Sequence, residues 1–75
     1  MAELIDFRSP LPGTVLEVIV KKGDRIEESQ PLLILESMKM ENEIFAESGG
    51  VIEEVFITAG QKVGGDEILM QIRVD

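Results

Sequence analysis

The chain of 75 residues lacks cysteine, histidine, tryptophan and tyrosine. Without cysteine there are no disulfides, thiolate metal sites or redox dithiols, and without histidine the commonest general base is also missing. A domain this small must then be stabilised by packing alone. These absences argue against an enzyme and suit a reducing compartment, so we take the cytoplasm as the expected location.

Long apolar runs and an excess of basic residues are missing as well. The longest apolar run, residues 32–35, is too short to cross a bilayer, and the first six residues carry acids where a signal peptide needs bases. Fifteen acids against seven bases give a formal net charge of −8, which repels nucleic-acid phosphates and anionic lipids. We therefore expect a soluble protein with no nucleic-acid or membrane partner, and basic surfaces on its protein partners.

The carboxylates that remain form no convincing catalytic group. In a strand, the neighbours Glu53 and Glu54 are expected to point to opposite faces, and the same holds for Glu27 and Glu28. The Gly-Gly-Asp at residues 64–66 lacks the spacing of phosphate-binding or calcium-binding loops. The sequence therefore predicts no catalytic residue and no metal site.

What is present is a repeat of β-type segments. Residues 13–23 (Gly-Thr-Val-Leu-Glu-Val-Ile-Val-Lys-Lys-Gly) align with residues 50–60 (Gly-Val-Ile-Glu-Glu-Val-Phe-Ile-Thr-Ala-Gly) at an offset of 37. At the same offset Leu35 aligns with Ile72. The register predicts one domain, residues 1–75, built from half-repeats at about 10–36 and 47–73.

Within each half, runs rich in Val, Ile and Leu alternate with glycine and proline turns, which indicates strands. The predicted strands cover residues 4–8, 14–20, 25–26, 32–36, 41–45, 51–57, 62–63 and 68–74, and no segment is predicted to be helical. The two halves are expected to pack as an all-β, flattened eight-stranded antiparallel barrel or sandwich with pseudo-twofold symmetry. The predicted core includes Val18, Ile26, Val55 and Val63.

The segment that joins the halves, residues 37–41, must reverse the chain, and Lys39 falls at or beside its tip between Met38 and Met40. An exposed lysine is usually only a solubilising charge, and methionine often fills gaps in a core. A lysine at a rigid tip is also an amine that can be acylated to make a long tether. A separate ligase would supply the activated acid, so the domain would need no catalytic residues of its own.

Residues 36–42, Glu-Ser-Met-Lys-Met-Glu-Asn, resemble the attachment motif of biotinyl domains, commonly Glu-Ala-Met-Lys-Met, and the flanking repeat extends the resemblance over nearly the whole chain. The resemblance implies a non-catalytic biotin carboxyl carrier domain. Biotin would be amide-linked to Lys39, with Glu36, Ser37, Met38 and Met40 completing the attachment motif.

The same resemblance implies three partners: a biotin protein ligase, a biotin carboxylase and a carboxyltransferase. The protruding insertion of one class of bacterial acetyl-CoA carboxylase carriers is absent, so the chain is more similar to the carrier domains of acyl-CoA or pyruvate carboxylases and related decarboxylases. A domain excised from a larger eukaryotic enzyme would lie in the mitochondrial matrix.

Three positions depart from the family pattern. Ser37 replaces the usual alanine, and Ser29 and Asp66 stand where a turn glycine is common, which calls the geometry of those turns into question. Two alternatives stay open. A lipoyl domain has the same fold but usually carries Asp-Lys-Ala at the tip, and a small β-barrel interaction module would leave the lysine unmodified.

Overall fold

The computed structural model describes residues 3–75, and all regular structure in that range is β-strand. The eight strands are β1 (Glu3–Arg8), β2 (Gly13–Val18), β3 (Arg25–Ile26), β4 (Pro31–Ser37), β5 (Met40–Phe45), β6 (Gly50–Val55), β7 (Lys62–Val63) and β8 (Ile68–Val74). The predicted all-β class is confirmed. Two predicted strands ran two residues too far, because the β-branched pattern of β2 and β6 continues after their pairing ends. No helix long and apolar enough to cross a membrane is found within residues 3–75.

The strands form two antiparallel sheets of four. Sheet 1 has the order β1-β8-β6-β3, and sheet 2 has the order β5-β4-β2-β7. Each strand of the second half begins and ends 37 residues after its counterpart in the first half, so the pseudo-twofold operation exchanges the two sheets. The equivalence extends to β1 and β5, which share no aligned residue but have the same order of exposed and buried positions, with only Phe7 and Ile44 buried.

The core lies between the inner faces of the two sheets. Its fully enclosed side chains come mainly from β4 and β8, and include Leu33, Leu35, Leu69 and Met70. Ile26 and Val63 are buried, as predicted. The other predicted pair, Val18 and Val55, is only half-buried and packs against the core, because each residue is the last of its strand and lies at the end of the sheet.

Four tight turns share one design. In each, the backbone N–H of the fourth residue donates to the carbonyl of the first, and a side-chain oxygen of the fourth accepts from the N–H of the first. The third residue has a positive φ in all four turns: Gly23 (92°), Ser29 (69°), Gly60 (93°) and Asp66 (70°). Ser29 and Asp66 therefore keep the turn geometry that glycine has at Gly23 and Gly60, and they adopt the left-handed conformation at the expected cost in backbone strain.

We expect Ser29→Gly to raise the free energy of unfolding by about 0.5–1 kcal/mol. Relief of the left-handed strain, about 1–2 kcal/mol for a residue with a Cβ, outweighs the extra freedom that glycine adds to the unfolded chain. A denaturant melt measures the change. Glu28→Gly in the same turn is the control, because Glu28 has no positive φ and should only lose stability. A destabilised Ser29→Gly would contradict the assignment of strain to this turn.

Candidate functional site

The segment that joins the two halves is a two-residue hairpin. Ser37, the end of β4, pairs with Met40, the start of β5, which leaves Met38 and Lys39 as the turn. Both have a positive φ, 52° and 64°, as a type I′ turn requires. Such turns favour Asn-Gly, and a residue with a Cβ pays about 1–2 kcal/mol in this conformation. The tip residues are therefore poor choices for forming the turn, which suggests that they serve another purpose.

The base of the hairpin is firmly held. Leu35 of β4 is fully buried in the core and pairs with Asn42 of β5. The side-chain amide of Asn42 donates to the carbonyl of Leu35 at 3.4 Å and to that of Met40 at 3.2 Å. These contacts link both strands to the core just below the turn, and they keep the strained tip in one position.

The side chains of the tip face water. Met38 is 92% exposed and Met40 is 66% exposed, so neither fills the core, and Lys39 is exposed between them. No ion pair within residues 3–75 involves Lys39. A shallow groove of about 260 Å³ beside the tip is lined by Leu11, Ser37, Met38, Met40 and Asn42. The tip thus presents a free amine with apolar neighbours.

The acidic side chains of the described residues form no comparable site. Among residues 3–75 no group of three or more acidic, histidine or cysteine side chains is placed to hold a metal ion. The expectation that Glu53 and Glu54 point to opposite faces is wrong, because a register shift in β6 turns both outwards. Their carboxylates are engaged in ion pairs, Glu53 with Arg73 and Glu54 with Lys22. Glu27 and Glu28 lie in or beside a turn, after β3 has ended.

The geometry can be compared with known proteins. The family model described as "Biotin-requiring enzyme" matches residues 5–72, nearly the whole chain. The chain belongs to the biotinyl carrier domain family. The biotin carboxyl carrier protein of Streptococcus mutans is 47% identical to this biotinyl domain over 64 residues, which is 85% of the chain and 49% of that protein. The chain thus spans about half the length of this relative.

Solved structures give the same fold. A region of a single-chain, multi-domain long-chain acyl-CoA carboxylase superposes with a TM-score of 0.91 at 30% identity, covering 96% of this chain and 7% of that one. The lipoyl domain of the 2-oxoglutarate dehydrogenase complex from Azotobacter vinelandii superposes with a TM-score of 0.78 at 28% identity, covering 91% and 94%. The fold is therefore shared with a lipoyl domain and does not identify the cofactor. It is the sequence match that favours the biotinyl domain.

The structure brings the five residues of the predicted attachment motif together on one hairpin. Ser37, Met38 and Met40 line the groove beside the tip, whereas Glu36 faces the opposite side of the sheet. Sequence reasoning missed Leu11, the groove residue that comes from outside the hairpin. Its only local signal was its place between Pro10 and Pro12, which indicates a rigid loop but gives no information about its neighbours in space.

Proposed function

We propose that Lys39 is the biotin attachment site and that the biotinyl domain acts as a biotin carboxyl carrier. The observation that carries the proposal is the two-residue tip, where Lys39 is exposed between two exposed methionines on a hairpin anchored in the core. The family match and the identity to a biotin carboxyl carrier protein support biotin as the cofactor.

Attachment requires that the side-chain amine of Lys39 reach the active site of the ligase. Its ε-nitrogen forms an amide with the carboxyl group of biotin, which a biotin protein ligase supplies as the adenylate. AMP leaves, and the nitrogen loses a proton. The strained, anchored turn holds the amine away from the body of the domain, and the flanking methionines offer an apolar contact surface to the ligase. Glu36 and Ser37 complete the motif on either face of β4.

Once attached, biotin accepts and releases a carboxyl group, and Lys39 with its four-carbon stem makes it a long tether. Docking of the domain then raises the effective concentration of the bound group at each site it visits. The two sites are proposed to be a biotin carboxylase and a carboxyltransferase of an acyl-CoA or pyruvate type enzyme, which perform the chemistry. Lys39 lies on the hairpin between β4 and β5 of sheet 2. The two ends of the described chain pair with each other in sheet 1, Glu3 with Val74, so neither end pairs with the sheet that carries Lys39.

Co-expression of the chain with a biotin protein ligase tests this proposal. Intact mass is expected to show one biotin per chain, and peptide mapping is expected to place it on Lys39 and not on Lys21, Lys22 or Lys62. Loss of avidin binding in Lys39→Arg, which keeps the charge, is the matched control. Avidin binding that survives this change would refute the site.

A lipoyl domain is the second candidate, because the lipoyl structure from Azotobacter vinelandii is similar over nearly its whole length. The mass experiment separates the two, since a lipoyl adduct differs in mass from a biotinyl adduct. Repeating the co-expression with a lipoyl ligase completes the test, because an unmodified interaction module would show no adduct with either enzyme. We place the carrier in the cytoplasm, or in the mitochondrial matrix when it forms part of a larger eukaryotic enzyme, which fractionation of the biotinylated protein would test.

A further inference from the structure

The outer face of sheet 2, the side away from the core, carries four exposed carboxylates on three adjacent strands. Glu17 lies on β2, Glu36 on β4, and Glu41 and Glu43 on β5. Register makes them neighbours: Glu36 pairs with Glu41, and Ile34 pairs with Glu17 on one side and Glu43 on the other. We call these four residues the acidic face. It begins directly below the tip that carries Lys39.

The pseudo-twofold symmetry supplies an internal comparison. The equivalent face of sheet 1 balances its charges, because Asp6, Glu53 and Glu54 share it with Arg8, Arg25 and Arg73. Glu53 pairs with Arg73, and Asp6 accepts a hydrogen bond from Gln71 at 3.1 Å. Within residues 3–75, none of the four carboxylates of the acidic face takes part in an ion pair. On the outer face of sheet 2, within the described strands, the four carboxylates are offset only by Lys62 of β7, which pairs with Thr14 beside Glu36. The same fold therefore balances the charges of one face and leaves the other with an excess of negative charge.

One pair of residues in the acidic face destabilises the folded domain. Glu36 and Glu41 lie directly opposite each other on neighbouring strands, next to the turn. Like charges in such a pair are destabilising. At the pseudo-equivalent pair, Arg73 lies opposite Leu4, where no repulsion arises. The repulsion between Glu36 and Glu41 lowers stability beside a turn that is already strained, so these two residues are not there to stabilise the fold. Their arrangement points to a role in recognition.

An apolar centre lies within the acidic face. Ile34 is half-buried between Glu17 and Glu43, and Leu16, 38% exposed, precedes Glu17 on β2. Phe45, 48% exposed, extends this apolar surface beyond Glu43 at the end of β5. An apolar centre with a charged rim is the usual composition of a surface that docks a protein. The anionic rim fits a cationic partner, and it would raise the rate of encounter with that partner.

We propose that the acidic face docks a cationic surface of the biotin protein ligase, an inference that rests on the proposed function. The ligase must act on Lys39 before the cofactor lengthens its reach, so its active site must approach the tip to within one lysine side chain. The surface directly below the tip is then in contact with the ligase. Enzymes that act later meet a longer arm, and they need no contact with this face.

The test measures the kcat/KM of a biotin protein ligase for the purified domain. Glu41→Lys/Glu43→Lys is expected to lower kcat/KM at low salt by about tenfold or more, with kcat changed by less than about twofold. Added salt should lower kcat/KM for the parent far more than for the variant. The variant should stay folded and unfold at a higher denaturant concentration, because the change at Glu41 replaces its repulsion from Glu36 with an attraction.

The control is Glu3→Lys/Asp6→Lys on β1, the pseudo-equivalent edge strand. It reverses two acids as well, so it has the same net charge, and its kcat/KM should remain within about twofold of the parent. A second matched pair tests the apolar surface: Phe45→Ala should raise KM, whereas Phe56→Ala, at a similarly exposed phenylalanine directly after β6, should not.

Equal losses in both double variants would overturn the docking surface, because net charge alone would then explain the effect. An unchanged Glu41→Lys/Glu43→Lys would overturn it as well. A parent chain that the ligase never modifies, shown by intact mass, would overturn the proposed function and the docking inference with it.

Discussion

Replacing Lys39 with alanine is expected to abolish biotin attachment and carboxyl transfer completely while leaving the free energy of unfolding within about 0.5 kcal/mol of the parent. The side chain projects into water and makes no ion pair within residues 3–75, so its loss opens no cavity and leaves no buried partner without a contact. Lysine and alanine both carry a Cβ, so the substitution leaves the backbone strain of the turn unchanged. Lys39→Ala should therefore remove the function of the domain without affecting its folding.

The measurements are a denaturant melt of the two unmodified proteins and a carboxyl-transfer assay with the partner enzymes. Lys62→Ala is the control, because Lys62 is an exposed lysine of sheet 2 that lies outside the hairpin. It should retain full transfer. Free biotin should restore little activity to Lys39→Ala, since it lacks the effective concentration that docking provides. Unfolding of Lys39→Ala would make the lysine structural, and persistent transfer would refute the carrier assignment.

Gly50→Ala is expected to lower the free energy of unfolding by about 2–3 kcal/mol, the upper part of the range for overpacking in a well-packed interior. Gly50 begins β6 and is buried against β8. An added Cβ would collide with the carbonyl oxygen of Arg73 and lie 2.9 Å from the Cα of Val74. These are backbone atoms of a paired strand, so relief requires the two strands to separate.

Gly64→Ala is the matched control for Gly50→Ala. Its added Cβ would meet only the carboxylate of Glu67, at 3.8 Å, and its φ lies outside the left-handed range. The same chemical change should therefore be nearly neutral there. Gly13→Ala should resemble Gly50→Ala, because its Cβ would collide with the carbonyl oxygen of Glu36 at the pseudo-equivalent position. Denaturant melts of the three variants measure this, and equal stability of Gly50→Ala and Gly64→Ala would refute the close approach of β6 and β8.

The offset of 37 residues and the glycine and proline turns were enough to predict eight strands in two equivalent halves. Local patterns succeeded where one residue decides the geometry, as at the turns around Gly23 and Gly60. They predicted β1 and β5 as strands but not the equivalence of the two, which rests on burial order rather than on shared residues. They failed at Glu53 and Glu54, because a register shift of β6 against β8 depends on both strands.

The sequence by itself determined the fold class and the position of Lys39 between two methionines at the joint of the repeat, because strand periodicity and turn chemistry are local properties. The attachment motif was predicted from its resemblance to that of a family. Only the tertiary structure decided what surrounds that lysine. Register across β4 and β5 set Glu36 opposite Glu41, and chain folding brought Leu11 to the groove. The charge difference between the two sheet faces has the same origin, since it depends on which residues pair across strands far apart in sequence.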